Sequence, residues 1–539
     1  MKYVWTISLI AAMGGLLFGY DWIVISGADI FYEKSFQLDT ELLQGWAKAC
    51  ALVGCLIGAL ISGGLSDRFG RKRLLILSAL LFTVSSLGTS WSGSFLVFVL
   101  WRITGGTAIG LASNLSPMYI SEVAPAKIRG SLVSMNQFTI VIGILIAQAA
   151  NYSIAQFGKS EDRGMLDKLY KPAGKELDRQ AVSRHLAGFL PAEKRGGFEK
   201  EFSAAADIVS KTEQFNYTVV AAIVEQWQNN HALENLKIQY EELDLKLAGW
   251  GLHSWNETCG WRLMFAAAAI PSLIFFAAIF FVPESPRWLA RNGRKQAARD
   301  VLTIFGGEDY AASAIADIEQ TLVNETQRVD FRELLETRMK NILTIGIVLA
   351  VFQQWCGINV IFYYAKDVFS AAGYNVSQAL LNIVYIGAIN LIFTVLAIFF
   401  VDRVGRKILM LFGAAGLVAI YTLMGAFFMS GNLGTHVLAL VLAAIGCYAM
   451  SLAPITWVVI SEIFPNRIRG AAMSVCVFAL WAACFILTLT FPTLNSRLGP
   501  ACTFWIYAAI CAAGFVFILL RLPETKGKTL EQIERELAD

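Results

Sequence analysis

The decapeptide SEVAPAKIRG, at residues Ser121 to Gly130, returns as SEIFPNRIRG at residues Ser461 to Gly470. Two further echoes keep the same order along the chain: DRFGRK at 67–72 with DRVGRK at 402–407, and PES at 283–285 with PET at 523–525. Three echoes in one order indicate a duplication. We therefore interpret the chain as two copies of one structural unit.

The composition is that of a protein that lies within a lipid bilayer. Of the 539 residues, 56% are hydrophobic and only 16% are charged, which is too apolar for a soluble protein of this length. A membrane-spanning helix needs about 20 mostly apolar residues. Twelve stretches meet this need, beginning near Trp5, Trp46, Leu74, Phe95, Ser131, Trp261, Ile342, Gln378, Ile408, His436, Ala471 and Ala501. We expect an all-α polytopic membrane protein with twelve transmembrane helices in two pseudo-symmetric bundles of six.

The spacing of the echoes locates an insertion in the first copy. Glu122 and Glu462 are 340 residues apart, whereas Glu284 and Glu524 are only 240 residues apart. About 100 residues were therefore added before Glu284. The predicted organisation is a first bundle with spans one to five at 1–152, a helical extracytoplasmic insert at 153–260, span six at 261–283, cytoplasmic linker helices at 284–340, a second bundle at 341–522 and a cytoplasmic tail at 523–539.

Basic residues in short loops predict the orientation, because such loops are retained in the cytoplasm. They follow spans two, four, eight and ten, at Arg68, Arg71, Lys72, Arg73, Lys127, Arg129, Arg403, Arg406, Lys407, Arg467 and Arg469. Both termini are therefore expected in the cytoplasm and the chain in the inner membrane of the cell. The net charge of +3 then needs no nucleic-acid partner. The cysteines and histidines match no metal-ligand spacing, so no metal or cofactor is expected.

Two charges are predicted to lie within the apolar spans, Asp21 and Arg102. At 1.5 Å per residue, Asp21 lies about 24 Å along an outward-running helix and Arg102 about 10 Å below the outer surface. In a core about 30 Å thick they lie at similar depth and can pair. One hypothesis is that Asp21 takes up a proton when the pair separates. The alternative is a static pair that joins spans one and four.

A second set of polar side chains is uncharged. Its members are Gln137, Gln353, Gln354, Asn359, Tyr363, Tyr364, Asn390, Trp457 and Trp481. Amides donate and accept hydrogen bonds as sugar hydroxyls do, and indole rings cover the apolar face of a pyranose. The set is typical of a neutral polyol site, although membrane amides also join helices to one another. Gln353 and Asn359 do not share a helical face, so we expect Gly357 to let the helix unwind between them.

The echoed loops predict a gate at the cytoplasmic face, where acids and bases can pair when that face is closed. The candidate gate residues are Asp67, Arg71, Glu122, Arg129, Glu284, Arg287, Asp402, Arg406, Glu462, Arg469 and Glu524. As exposed ion pairs they would contribute little to stability. Their repetition within the chain favours the gate.

These motifs together resemble the sugar porter family of the major facilitator superfamily, and most closely its bacterial pentose and hexose proton symporters. The matching pieces are GGLLFGYDWIVISG at 14–27, residues 64–72, RITGG at 102–106, residues 117–130, PESPRWL at 283–289, QQWCGINVIFYY at 353–364, residues 457–470 and PETKG at 523–527. The resemblance implies two six-helix bundles that rock around a central sugar site. By position it implies sugar contacts at Phe18, Gln137, Gln353, Gln354, Asn359, Tyr363, Asn390, Trp457 and Trp481.

The resemblance also implies proton coupling, because the family's symporters carry an acid where Asp21 stands. Leu480 stands where relatives place an amide, and Ala453 replaces a usual glycine, so the expected substrate is a monosaccharide of either pentose or hexose type. We expect a transporter that functions as a monomer and has no enzymatic activity. The alternatives are an uncoupled sugar uniporter and a sugar-sensing receptor.

Overall fold

The computed structural model describes residues 2–125, 128–167, 179–187, 192–209, 255–324, 337–374, 376–431, 433–464 and 469–524. Within these ranges all regular secondary structure is helical. The helices of the first copy are α1 (Lys2–Ser35), α2 (Glu41–Phe69), α3 (Arg71–Ser90), α4 (Phe95–Val123) and α5 (Arg129–Asp167). The helices of the insert are α6 (Arg179–Ala187) and α7 (Ala192–Val209).

Span six and the linker form a series of shorter helices. A π-helical turn (Asn256–Gly260) leads into α8 (Trp261–Ala267) and α9 (Ala269–Ile279), and the linker comprises α10 (Pro286–Arg291), α11 (Lys295–Gly306) and α12 (Glu308–Asn324). The helices of the second copy are α13 (Thr337–Trp355), α14 (Ile358–Tyr363), α15 (Ala365–Ala371), α16 (Val376–Val404), α17 (Arg406–Ser430), α18 (Thr435–Met450), α19 (Leu452–Glu462) and α20 (Arg469–Arg521).

Eleven described helices are long and apolar enough to cross a membrane, and the last of them contains two spans. It covers Ala472–Arg521, which is about 75 Å of helix against a hydrocarbon core of about 30 Å. Gly499 interrupts it with φ 77° and ψ 164°, a conformation that glycine adopts readily, and Pro500 follows. The helices on either side, 472–498 and 500–521, complete the predicted twelve. Each span begins within about one and a half turns of its predicted start.

The chain divides into two compact units. The larger comprises residues 1–29, 38–152 and 264–539 and contains most of both bundles. The smaller comprises residues 30–37 and 153–263, against predicted insert bounds of 153 and 260. Within the smaller unit, Asn256 donates a hydrogen bond from Nδ2 to the carbonyl oxygen of Ala155 at 3.0 Å. This bond ties the end of the insert back to its beginning.

Glycines allow the helices of the first bundle to pack with their backbones in contact. Two glycines of α2 and two of α4 each lie against a backbone carbonyl of the other helix: Gly54, Gly58, Gly106 and Gly110. A Cβ at any of these positions would overlap that backbone. Small residues are the usual means of close helix association in membranes, where apolar burial supplies little driving force. The RITGG motif, through Gly106, is thus part of the α2–α4 interface.

The two bundles meet at the end of the helices that lies away from residues 67–72 and 402–407. We call the end that carries those repeated loops the motif end, and the opposite end the far end. Trp46 lies in the second turn of α2, about 30 Å from the motif end, and its ring lies 6.3 Å from that of Phe485. Gly45 lies against the backbone of Leu489. The far end of the central region is therefore closed in this structure.

Span seven is broken, as the sequence predicts. Helix α13 ends at Trp355, and Gly357 has φ 86° in the left-handed region before α14 begins. A second break follows at Tyr364, where φ is −124°. Discontinuous helices of this kind occur at transporter binding sites, because irregular backbone within a membrane must line a cavity or be buried in protein.

Replacement of Gly357 by alanine tests the break. An added Cβ would occupy a left-handed backbone and lie 2.8 Å from Tyr507 Cγ, so strain and overpacking combine to lower the free energy of unfolding by roughly 2–4 kcal/mol. Gly293→Ala is the matched control, with φ 75° and nothing within 4 Å of the added atom. It should cost only about 1 kcal/mol. Thermal unfolding in detergent measures both variants, and equal losses would contradict the packing argument.

Candidate functional site

Asp21 of α1 and Arg102 of α4 form the ion pair that their predicted depths suggest. Arg102 Nη1 donates to Asp21 Oδ1 at 2.5 Å. Both side chains are buried, with 4% of Arg102 and 8% of Asp21 exposed. The guanidinium also lies over the ring of Phe265, with its central carbon 5.4 Å from the ring centroid. The pair therefore joins spans one, four and six in the middle of the first bundle.

The burial of this pair decides what it can do. A charge left alone in such a site costs several kcal/mol, so neither partner can lose the other while both stay ionised. Protonation of the carboxylate removes its charge, and the attraction between α1 and α4 falls with it. The geometry is suited to a group that couples proton binding to helix movement.

The break in span seven brings together amides that a continuous helix would separate. Asn359 Nδ2 donates to Gln354 Oε1 at 2.5 Å. Gln354 Nε2 lies 3.5 Å from Gln353 Oε1, and Gln353 Nε2 donates to the carbonyl oxygens of Leu452 and Ala453 at 3.2 and 3.0 Å. All three amides are buried. They form one hydrogen-bonded chain from α14 to the start of α19.

Aromatic rings connect this amide chain with α1. Phe18 meets Trp481 edge to face at 5.5 Å between ring centroids. Trp22 stacks on Phe18 at 5.8 Å and contacts Phe362 and Tyr363 at 5.2 and 5.9 Å. Because Trp22 follows Asp21 directly, one turn of α1 carries the buried carboxylate and the two rings that touch Trp481 of α20 and span seven. The structure thus places the charged site and the amide site on either side of one helical turn.

Three further predicted site residues have different surroundings. Asn390 in α16 is buried, whereas Gln137 in α5 is half-buried. Trp457 in α19 is 37% exposed. They come from three helices other than span seven.

At the motif end, Glu284 binds the beginning of α3. Its Oε1 accepts hydrogen bonds from the backbone N–H groups of Arg71 and Lys72 at 2.9 and 3.1 Å. A carboxylate at this position satisfies helix donors that have no intrahelical partner and is favoured by the helix dipole. Lys72 Nζ completes the contact by donating to the carbonyl oxygen of Phe280 at 2.8 Å.

The second copy repeats this arrangement with Glu524. Its carboxylate accepts from the backbone N–H groups of Arg406 and Lys407 at 2.9 and 3.1 Å. Lys407 Nζ donates to the carbonyl oxygen of Leu519 at 2.9 Å. The echo of PES in PET therefore preserves a helix-capping carboxylate in each copy.

Other predicted gate residues of the first copy form a network around Arg71. Its guanidinium lies 2.9 Å from Glu122 Oε1 and 3.4 Å from Asp67 Oδ1, and Arg291 lies 3.1 Å from the same Asp67 oxygen. Arg287 is half-buried in α10. The side chains of Arg129, Asp402, Glu462 and Arg469 lie outside the described part of the chain.

Comparison with known proteins shows the family. A family profile described as "Sugar (and other) transporter" matches residues 7–167 and 246–537. The chain belongs to this sugar transporter family. Among its relatives, the D-xylose-proton symporter of Escherichia coli (strain K12) is 34% identical, over 99% of this chain and 95% of the relative. The arabinose-proton symporter of Bacillus subtilis (strain 168) is 33% identical over the same shares.

Solved structures of this family confirm the fold. The partially occluded inward open conformation of the xylose transporter XylE from E. coli matches with a TM-score of 0.72 and 33% identity, covering 98% of this chain and all of that one. A XylE structure bound to 6-bromo-6-deoxy-D-glucose matches with a TM-score of 0.71 over 99% of each chain. This sugar transporter is thus a multi-pass membrane protein with the major facilitator fold, and it is not an enzyme.

The sequence prediction named two charges within the spans, Asp21 and Arg102, and the structure has both there together with two more. Asp29 of α1 and Lys48 of α2 are also buried, at 0% and 2% side-chain exposure. Hydropathy missed them because they lie near the predicted ends of spans one and two, where charges are ordinary. The sequence did contain a signal for this pair. An aspartate and a lysine lie on either side of one short loop, and each is surrounded by apolar residues. Trp22 was missed because an aromatic residue in an apolar span carries no distinguishing pattern.

A double-mutant cycle tests the buried pair of Asp21 and Arg102. Asp21→Asn leaves an uncompensated guanidinium and should lower the free energy of unfolding by about 3 kcal/mol. Arg102→Met leaves an uncompensated carboxylate and should lower it by a similar amount. In the double variant, the loss of unfolding free energy should be about 2 kcal/mol smaller than the sum of the two single losses. Unfolding is followed during heating by the reaction of a thiol-reactive dye with the six cysteines that are buried in the described part of the chain.

The exposed pair of Lys295 and Glu319 provides the control for this cycle. Its atoms lie 2.8 Å apart with 66% and 41% of the side chains exposed. Glu319→Gln should therefore change stability by well under 1 kcal/mol. Additive losses at Asp21 and Arg102 would show that the two charges do not stabilise each other.

Proposed function

We propose that this transporter moves a monosaccharide into the cell together with a proton by alternating access, and that Asp21 carries the proton. The observation that carries the proposal is the buried pair with Arg102, because a carboxylate so placed can be neutralised only by its partner or by a proton. The named relatives that move xylose and arabinose with protons support it.

The proposed sugar site is the amide chain of span seven with its neighbouring rings. Asn359 supports this assignment, because its Oδ1 atom is buried and has no hydrogen-bond partner among the described residues. A buried acceptor without a partner costs about 1–3 kcal/mol, and a sugar hydroxyl would satisfy it. Gln353, Gln354, Tyr363, Asn390, Gln137, Trp457, Trp481 and Phe18 are the other proposed contacts.

Helix α1 provides the proposed link between proton and sugar. Phe18 and Trp22 contact the rings of the sugar site, and Asp21 lies between them in the sequence. When a proton neutralises Asp21, α1 is released from Arg102 and can change its packing on span seven. A sugar that fills the space beside these rings stabilises the new packing. Each ligand then favours the same conformational change, which is the requirement for coupled movement.

Orientation and gating complete the proposal. The basic loops support a cytoplasmic location for the motif end and both termini, and hence an extracytoplasmic location for the far end. The charged residues of the motif end then close the cytoplasmic side in the outward-facing state. Each chain holds a complete set of proposed contacts, so we propose that the monomer is the working unit.

Loss of the Asp21 carboxylate tests proton coupling. In proteoliposomes without buffer, added sugar should raise the external pH as protons enter with it. Asp21→Asn should abolish this pH change and uphill uptake while it retains exchange of labelled sugar for unlabelled sugar, which needs no net proton movement. Asp39→Asn removes an exposed carboxylate in the loop after α1 and should leave both activities intact. Uphill uptake that survives Asp21→Asn would indicate a uniporter or another proton carrier.

The substrate is tested at Leu480, a buried residue next to Trp481 where relatives place an amide. Leu480→Gln supplies a hydrogen-bonding group and should improve the affinity for sugars with a hydroxyl facing it by about tenfold relative to those without. Binding of xylose, arabinose, glucose, galactose and fructose is compared in both proteins. Ala453→Gly, which restores the other usual residue without a polar group, is the control. Equal changes for all five sugars would exclude Leu480 from hydroxyl discrimination.

A further inference from the structure

A second buried charge cluster joins the two bundles at the far end. Lys48 Nζ lies 2.7 Å from Asp29 Oδ2 in its own bundle and 3.7 Å from Asp367 Oδ2 of α15 in the other. The same ammonium lies 4.1 Å from the centroid of the Tyr364 ring. One cation is thus shared between a carboxylate of the first bundle and a carboxylate and ring of the second.

The burial of the partners differs between the two sides. Asp29 and Lys48 are 0% and 2% exposed, whereas the side chain of Asp367 is 37% exposed. Lys366 also lies 3.8 Å from Asp367. If α15 moved away, Asp367 would pass into water beside Lys366, and Lys48 would remain neutralised by Asp29. Separation of Asp29 from Lys48 would instead leave two opposite charges alone in apolar surroundings, at a much greater cost.

The backbone around Asp367 permits such a movement. Helix α15 is one short segment of the broken span seven, and it begins directly after the second break at Tyr364. The Tyr364 hydroxyl donates to the carbonyl oxygen of Thr488 at 2.6 Å, so this break belongs to the second bundle. The segment α15 therefore carries Asp367 on the side of the contact that can move.

We propose that Lys48, held in place by Asp29, is an ionic latch that closes the far end of the transporter by binding Asp367 and the ring of Tyr364. Asp29 is a positioning residue that keeps Lys48 charged and directed across the bundle interface. The latch stabilises the far-end-closed conformation over the far-end-open one. It opens once in every transport cycle, when α15 leaves α2.

The latch rests on alternating access but not on the identity of the sugar or on proton transfer at Asp21. Its test is a distance measurement without sugar or pH gradient, so a failure of the proposed coupling would leave its outcome unaffected. Spin labels are placed at Leu42→Cys and Ser370→Cys, two exposed far-end positions on opposite bundles. The exposed native thiols are removed by Cys259→Ser and Cys502→Ser.

Asp367→Asn is the decisive variant, because its partly exposed position allows the fold to form without the charge. In nanodiscs, pulsed electron paramagnetic resonance should show the ratio of long to short far-end distances rise roughly threefold to tenfold. Glu41→Gln removes an exposed carboxylate from the same end of α2 and should leave the ratio unchanged. A distribution for Asp367→Asn that equals that of Glu41→Gln would overturn the latch.

The double variant Asp29→Val with Lys48→Val provides an independent second test. It removes both buried charges together and leaves an apolar pair, which should preserve the fold. Since Lys48 is then absent, the far end should open to the same extent as in Asp367→Asn. Unchanged distances in this variant would show that other contacts, such as that of Trp46 with Phe485, keep the far end closed.

Discussion

A charge inside a bilayer must have a partner, and this constraint governs the working parts of the transporter. Asp21 and Arg102 satisfy it within the first bundle. The consequence is that α1 and α4 are held together by an interaction that one proton can remove. Since α1 also presents Phe18 to Trp481 of α20 and Trp22 to Tyr363 of span seven, direct contacts connect the helix of this carboxylate with the second bundle. No longer pathway is needed to connect the two.

The two copies carry different polar side chains within their spans, but their motif ends have the same structure. Glu284 and Glu524 each cap the helix that follows a repeated loop. These bonds join the end of the last span of each copy to the start of its third, so each bundle is braced at the same place. Away from these ends the backbone is less regular, and span seven is broken at Gly357 and at Tyr364. Bundles that are braced at one end and carry discontinuous spans suit a rocking motion.

Internal repetition made much of the fold predictable. The echoes and hydropathy predicted twelve spans, and rise per residue alone placed Asp21 and Arg102 at one depth. The amide site was less accessible to such reasoning, because on an ideal helix Gln353 and Asn359 point in different directions. The prediction of a break at Gly357 resolved this, but the hydrogen-bond chain through Gln354 depends on backbone angles that no pattern specifies.

The far-end charges show where sequence reasoning failed. Lys48 lies in the first turns of α2, and Asp29 in the last turns of α1. Charges near span ends are usually solvated, so hydropathy gives no reason to examine them. Lys48 contacts Tyr364 and Asp367, which lie more than 300 residues further along the chain. Only the assembled bundles bring these groups together.

The central claim, that sugar entry is driven by a proton bound at Asp21, is tested most directly by the sugar gradient at steady state. Proteoliposomes are given a pH difference of one unit, acidic outside, with the membrane potential held at zero. Entry of one proton with each sugar predicts that sugar accumulates inside about tenfold, since one pH unit corresponds to ~1.4 kcal/mol. Internal and external sugar concentrations that become equal would contradict the account.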